Sequence, residues 1–208
     1  MNKLLLPLIF LTSCSYRPQH SDPFPSTITP FDHVQCFSPS AITWKATEMF
    51  GTRERVGTVT LDSACIQCAS GVLVGGYFTV DMNTIDPTDL PAHEVTAKKN
   101  LVNHLKSPDF FRTDDFPQAR MHLIHVQKIS TSRLRIKANL QIREVTRGIE
   151  FQATLDKGYF STTLHLNREE WNVAFQGSLL EKTLIDPVFT LTWSNKYCNN
   201  VAIKGSSP

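Results

Sequence analysis

Arg133-Leu134-Arg135-Ile136-Lys137-Ala138-Asn139-Leu140-Gln141-Ile142 alternates polar and apolar residues without exception. Successive side chains of a β-strand point to opposite faces, so this period of two describes a strand with one dry and one wet face. Working outward, weaker forms of the pattern recur at Tyr77 to Thr84, Phe160 to Leu166 and Val188 to Trp193. Less regular strands are expected at Ile42 to Phe50, Arg55 to Leu61, Met121 to Ile129 and Gly148 to Leu155. Turn residues separate them, as in Ser130-Thr131-Ser132, Asp156-Lys157-Gly158 and Gln176-Gly177-Ser178.

One segment departs from this pattern. Asp89 is placed to cap, Pro91 to occupy a first turn, and Val95, Leu101, Val102 and Leu105 to share a face before Pro108, which predicts the principal helix over Pro91 to Lys106. About eight antiparallel strands and one helix predict an all-β fold, an antiparallel eight-stranded lipocalin-like barrel, because closure removes exposed strand edges. A two-sheet sandwich is the structural alternative. The 208 residues are 41% hydrophobic with 13 Phe, enough to fill one core. A net charge of +2 gives too weak a field for nucleic acid to be the partner.

The N-terminus reads as an export signal. Lys3 supplies the positive charge, and Leu4 to Leu11 form an apolar run far short of the roughly 20 residues that cross a bilayer. The sequence Leu11-Thr12-Ser13-Cys14 resembles the lipobox of bacterial lipoproteins, which implies lipidation of Cys14. In such proteins an Asp after the Cys usually signals retention in the inner membrane. Here Ser15 follows, which implies the outer membrane, facing the periplasm, where the host has two membranes. The expected organisation is a signal peptide (1–13), a lipidated N-terminus and Pro-rich tether (14–40), the barrel (41–198) and a C-terminal tail (199–208).

Four further cysteines remain in a chain expected outside the cytoplasm, where disulfides persist. If the first and last strands pair to close the barrel, Cys36 approaches Cys198, and Cys65 and Cys68, expected in one short loop, are left to bond locally. Cys65-Ile66-Gln67-Cys68 lacks the following His of a haem attachment site, and no second close Cys pair completes a zinc ribbon. Thiol-redox work by Cys65 and Cys68 is the competing reading. His122 with His125, and His93 with His104, do not complete a metal-ligand set, so no metal is expected. No nucleophile elbow or phosphate-binding loop is present, Asp114-Asp115 reads as a solvated pair, and no catalytic residue or enzymatic activity is assigned.

Several blocks then carry a resemblance. Gly75-Gly76 with Thr79-Val80-Asp81-Met82 and Ile85-Asp86, His104-Leu105-Lys106-Ser107-Pro108-Asp109-Phe110-Phe111, and Phe116-Pro117-Gln118-Ala119 resemble the YceI-like family of lipocalin-like periplasmic proteins. Val145-Thr146-Arg147, Arg168 to Trp171 and Ile185-Asp186 follow in the family's order. Two positions depart from its usual pattern: Glu144 stands where Gly is usual and Gly148 where Pro is usual. The resemblance implies a barrel around an apolar cavity that holds a polyisoprenoid-type chain.

The alternating strands nominate the inward residues Phe78, Val80, Met82, Leu134, Ile136, Leu140, Leu164, Leu166, Phe189, Leu191 and Trp193 as lipid-binding positions. Alternation does not say whether that interior is open or filled. The expected partners are an apolar lipid and, through Cys14, the membrane, with a homodimer left open. No cofactor is required, and a polyisoprenoid or an isoprenoid quinone is the candidate occupant. A quinone-linked redox protein and a surface adaptor with a filled core are the alternatives. The resemblance gives His104 a role in fixing the helix end and the Asp109-Phe110-Phe111 loop.

Overall fold

The computed structural model describes residues 21–26, 29–48, 51–156, 159–173 and 185–196. The decisive strand forms with the expected bounds, Arg133–Ile142 (β6), and every Leu, Ile and Ala in it is buried. Around it run β1 (His33–Phe37), β2 (Ser40–Glu48), β3 (Arg53–Ala69), β4 (Val72–Pro87), β5 (Gln118–Lys128), β7 (Val145–Asp156), β8 (Tyr159–Asn167) and β9 (Ile185–Lys196). All neighbouring strands are antiparallel. β2 meets β9 and β3 meets β4, so the sheet returns on itself as a closed barrel.

The described residues form nine strands but the barrel has eight, because β1 and β2 act as one. Both lie along β3, and the register runs without a slip from His33 opposite Cys68 to Glu48 opposite Arg53. The interruption is Ser38-Pro39. Proline has no N–H to give a ladder, which breaks the strand there without shifting its register.

This geometry decides the disulfide. β2 does pair with β9, as barrel closure requires, but Cys36 lies beyond that seam, on β1, directly opposite Cys65. The bond is Cys36–Cys65, in place of the expected Cys36–Cys198 pairing. Cys198 lies outside the described residues, as do Cys14, the expected signal peptide and the C-terminal tail. The expected Cys65–Cys68 bond fails because both residues stand in β3, not in a loop. Three residues of extended chain separate their Cα atoms by about 10 Å, beyond the span of a disulfide. Cys68 is a buried free thiol.

The helix, Val95–Lys106 (α1), starts one turn later than expected. Asp89 does not cap it but accepts a hydrogen bond from Arg55 Nη1 at 2.9 Å, and Pro91 sits in a preceding turn whose carbonyl accepts from the Glu94 N–H. Val95, assigned to the buried face, is 69% exposed; Leu105 is buried. At the C-terminal end the His104 carbonyl accepts from both the N–H and the hydroxyl of Ser107, and its ring lies 5.5 Å from that of Phe110.

The segment expected as tether also carries structure. Ser21 and Gly148 exchange two backbone hydrogen bonds at 3.0 Å, and the Asn139 side chain donates to the Phe24 carbonyl and accepts from its N–H. Residues 21–26 are therefore a strap across β6 and β7. A Cβ on Gly148 would stand 2.7 Å from both the Asp22 carbonyl oxygen and the Ser21 hydroxyl. The proline usual at this place in the resembled family could not donate to Ser21 either. Asn139→Ala should therefore free the strap, at a local cost of about 1–2 kcal/mol for two hydrogen bonds. Limited proteolysis should show faster cleavage within residues 21–26 at an unchanged global unfolding midpoint; a shifted midpoint with unchanged cleavage would show that the strap belongs to the core.

Among the described residues, the buried hydrophobic core lies between Phe37 and Trp193.

Candidate functional site

The barrel has two differently built ends. At one, Phe37, Phe78 and Phe160 surround Trp193, with ring centroids 5.5–5.7 Å from it, and Trp193 Nε1 donates to the Ser40 hydroxyl at 2.9 Å. These edge and tilted contacts fill that end with carbon. At the other end lie α1, the loop that follows it, and the short 3-10 helix Arg168–Trp171. Backbone bonds from Phe111, Arg112 and Thr113 back to Leu105, Ser107 and Lys106 fold this loop onto α1. Arg143 Nη1 then ties the loop to the 3-10 helix, donating to the Phe110 and Asn172 carbonyls.

Between the ends the interior is open. A cavity of about 140 Å³ lies beneath Leu105, Phe110 and Phe111, walled by residues including Trp44, Val59, Met82, Ile85, Ile142 and Phe189. A second, of about 70 Å³, continues towards Leu61, Phe78, Met121, Leu164 and Trp193. Ile42, Val80, Ala119, Leu140 and Leu191 line both, so the two cavities abut at a waist formed by these side chains, which stand between the two halves of the apolar passage. An apolar cavity of about 150 Å³ stays dry and admits hydrocarbon. Trp44 shapes the wall: its ring lies over Gly57, where a Cβ would come within 2.2 Å of it, and its Nε1 donates to the Thr58 carbonyl.

Arg168 and Asp186 line the cavity at the helix end, and Arg120 and Thr162 border the second one. Arg168 is 4% exposed; its Nη1 donates to the Val173 carbonyl at 2.8 Å, and its guanidinium stands 5.8 Å from the Phe110 ring centre. Burial lowers its pKa, but guanidinium keeps its proton at any physiological pH. Asp186 also lines the cavity and accepts from the Thr47 hydroxyl. Here the β2–β9 register slips between Ala46 and Glu48, and Ala46 and Asp186 also line a groove on the outer surface. At this seam the same residues therefore border both the interior and the outer surface.

The passage brings together Phe78, Val80, Met82, Leu140, Leu164, Phe189, Leu191 and Trp193 of the residues nominated from the sequence. It does not include Leu134, Ile136 and Leu166, which are 5%, 0% and 2% exposed within solid core. The alternation does not mark Arg168, Asp186, Phe110 and Ala119. All four lie in quoted blocks, Arg168 to Trp171, Ile185-Asp186, Asp109-Phe110-Phe111 and Phe116-Pro117-Gln118-Ala119, which are signals independent of any strand pattern.

A model of the YceI-like domain matches residues 29–196. The chain belongs to the YceI-like domain family. Solved structures agree in fold: Burkholderia cenocepacia BcnA is 13% identical, with a TM-score of 0.53, over 74% of this chain and 93% of that one. A polyisoprenoid binding domain from Saccharophagus degradans, implicated in plant cell wall breakdown, is 10% identical at a TM-score of 0.50, over 74% and 90% of the two chains. A Campylobacter jejuni YceI protein is 14% identical at 0.49, over 96% and 100%. The curated proteins give no match.

This YceI-like barrel gives little support to a Cys65–Cys68 redox couple. Cys65 is bonded to Cys36, and burial, assisted by the charge of Asp32, raises the pKa of the Cys68 thiol. A reactive thiol needs the opposite shift, because the thiolate is the nucleophile. Among the described residues no helix is long and apolar enough to cross a membrane, and no three His, Cys, Asp or Glu side chains are grouped to hold a metal.

Proposed function

We propose that this protein is an extracytoplasmic lipoprotein that carries or scavenges a polyisoprenoid or similar apolar chain in its barrel. The observation that carries the reading is the pair of abutting apolar cavities along the barrel interior, with Arg168 and Asp186 at one end and the Phe37, Phe78, Phe160 and Trp193 cluster at the other. The ligand lies with its polar end towards Arg168 and Asp186 and its tail towards the aromatic cluster. Burying about 400 Å² of hydrocarbon at ~25 cal/mol per Å² yields roughly 10 kcal/mol before the cost of association. Such a ligand needs no charged anchor within the passage. Family membership and the likeness to the Saccharophagus polyisoprenoid binding domain point to the same ligand class.

Native mass spectrometry of the protein isolated from its membrane, followed by organic extraction, tests both parts. The expected result is an acylated chain beginning at Cys14, with an isoprenoid, quinone or fatty-acyl mass that an unrelated control lacks. A folded, monodisperse protein that is empty from every host would instead support the adaptor reading. An unacylated N-terminus would remove the anchor and leave the cavity ligand to be judged on its own mass.

A further inference from the structure

Charge on the barrel wall is unevenly placed. From Gln118 to Ile142, which spans β5 and β6, the chain contains no Asp or Glu, but it contains Arg120, Lys128, Arg133, Arg135 and Lys137. All five are exposed except Lys137, which is half-buried. On β6, residues two apart share a face, so Arg133, Arg135 and Lys137 form one outward row. His125 stands opposite Lys137, and Gln127 opposite Arg135. The carboxylate of Glu150, 3.4 Å from Arg135 Nε, and that of Asp22, 3.9 Å from Arg147, offset part of this charge. On a chain of net charge +2 the row is a local excess. Tyr77, 44% exposed, stands opposite His122 at one side of this wall, and Ile129, 44% exposed, follows β5 at its end.

The strap is fixed to the same wall. Its Phe24 lies 5.5 Å beneath Lys137 Nζ and is held by Asn139 of β6. From Cys14 to the docking point at Ser21 the chain can reach about 25 Å at full extension. Were the whole 14–40 segment a free tether, the reach would be several times greater.

From these two observations we infer that the β5–β6 wall is a docking surface for an anionic lipid bilayer. The inference rests on the lipid-anchored reading above. Cations near an anionic leaflet are attracted over about a Debye length, and tyrosine and isoleucine side chains suit its interface. Docked this way, the groove at the β2–β9 seam, on the far side of the barrel, faces away from the membrane.

The test uses the barrel from Ser15 onward, so that acylation cannot contribute, with phosphatidylcholine vesicles with and without 30 mol% phosphatidylglycerol. Binding should require phosphatidylglycerol, weaken at least tenfold in 1 M salt, and weaken at least tenfold in Arg133→Gln/Arg135→Gln/Lys137→Gln. Lys45→Gln/Arg53→Gln, on the far wall, should bind as the parent does. Circular dichroism and the unfolding midpoint of each variant separate lost binding from lost folding. Equal binding to both vesicles, or equal loss in the two variants, would overturn the inference. So would binding to duplex DNA as tight as to the anionic vesicles, which would make the wall a general polyanion surface. An unacylated native protein with intact vesicle binding would end the anchor reading and leave this surface standing.

Discussion

Ala119→Phe should empty the barrel of long ligands while leaving it folded. Ala119 lies at the waist, opposite Val80 of β4 in the register, and lines both parts of the passage. A ring placed there enters open space, so the usual 1–3 kcal/mol for overpacking a filled core should be largely avoided. For the ligand the effect is large. A chain that cannot pass the waist loses the apolar contacts of the second cavity, and each CH2 returned to water costs about 0.8 kcal/mol. Retention of a long isoprenoid should fall at least a hundredfold, and a chain short enough to stay beneath Phe110 and Phe111 should bind nearly as before. Native mass spectrometry after incubation with isoprenoid alcohols of graded length reads both effects. Unchanged retention of the longest chain would show that the ligand does not run through the waist.

What the sequence discloses about this site follows from what a strand pattern encodes. Period-two alternation gives the face of a residue but not its height along the barrel. Ile136 and Leu140 both point inward, yet Ile136 is sealed in core opposite Phe151 while Leu140 borders open space. Height depends on which side chains meet across the barrel, and no local window contains that information. Polar residues of an apolar site are hidden for the converse reason. Arg168 belongs to no alternating strand, and its place at the cavity follows from the 3-10 helix, whose Asn167 side chain accepts from the Glu169 N–H.

β1 carries no strand signal in the sequence because four of its five residues, His33, Val34, Gln35 and Cys36, are exposed or half-buried, so no apolar stripe marks it. Its register with β3, not its composition, makes it a strand, and the same register selects Cys65 as the partner of Cys36. The strap has no local signal in its Pro-rich stretch for a similar reason. Its evidence is a glycine more than a hundred residues away, at one of the two positions where the sequence departs from the family pattern.

Trp171→Ala should cost the most stability. Trp171 is fully buried, and its Nε1 donates to the Leu140 carbonyl at 3.0 Å, fastening the 3-10 helix to β6 beside the passage. Truncating a buried tryptophan costs about 3–5 kcal/mol, a large part of the 5–15 kcal/mol that typically holds a domain folded. Trp171→Phe separates packing from hydrogen bonding. It keeps most of the ring volume and removes the donor, which should cost about 1–3 kcal/mol in urea unfolding. The functional consequence should exceed the stability loss. Arg147 Nε donates to the Glu170 carbonyl, and Arg143 to the Asn172 carbonyl, so the short helix is held from both sides, with Trp171 as its inward anchor. Loosening that anchor frees Arg168, and the helix end of the barrel opens on the time scale of local unfolding. Trp171→Phe should therefore release bound lipid faster at a temperature where it is still fully folded. If release kept the parent rate while the unfolding midpoint fell, the 3-10 helix would stabilise the barrel without closing it, and the exit would lie at the β2–β9 seam beside Asp186.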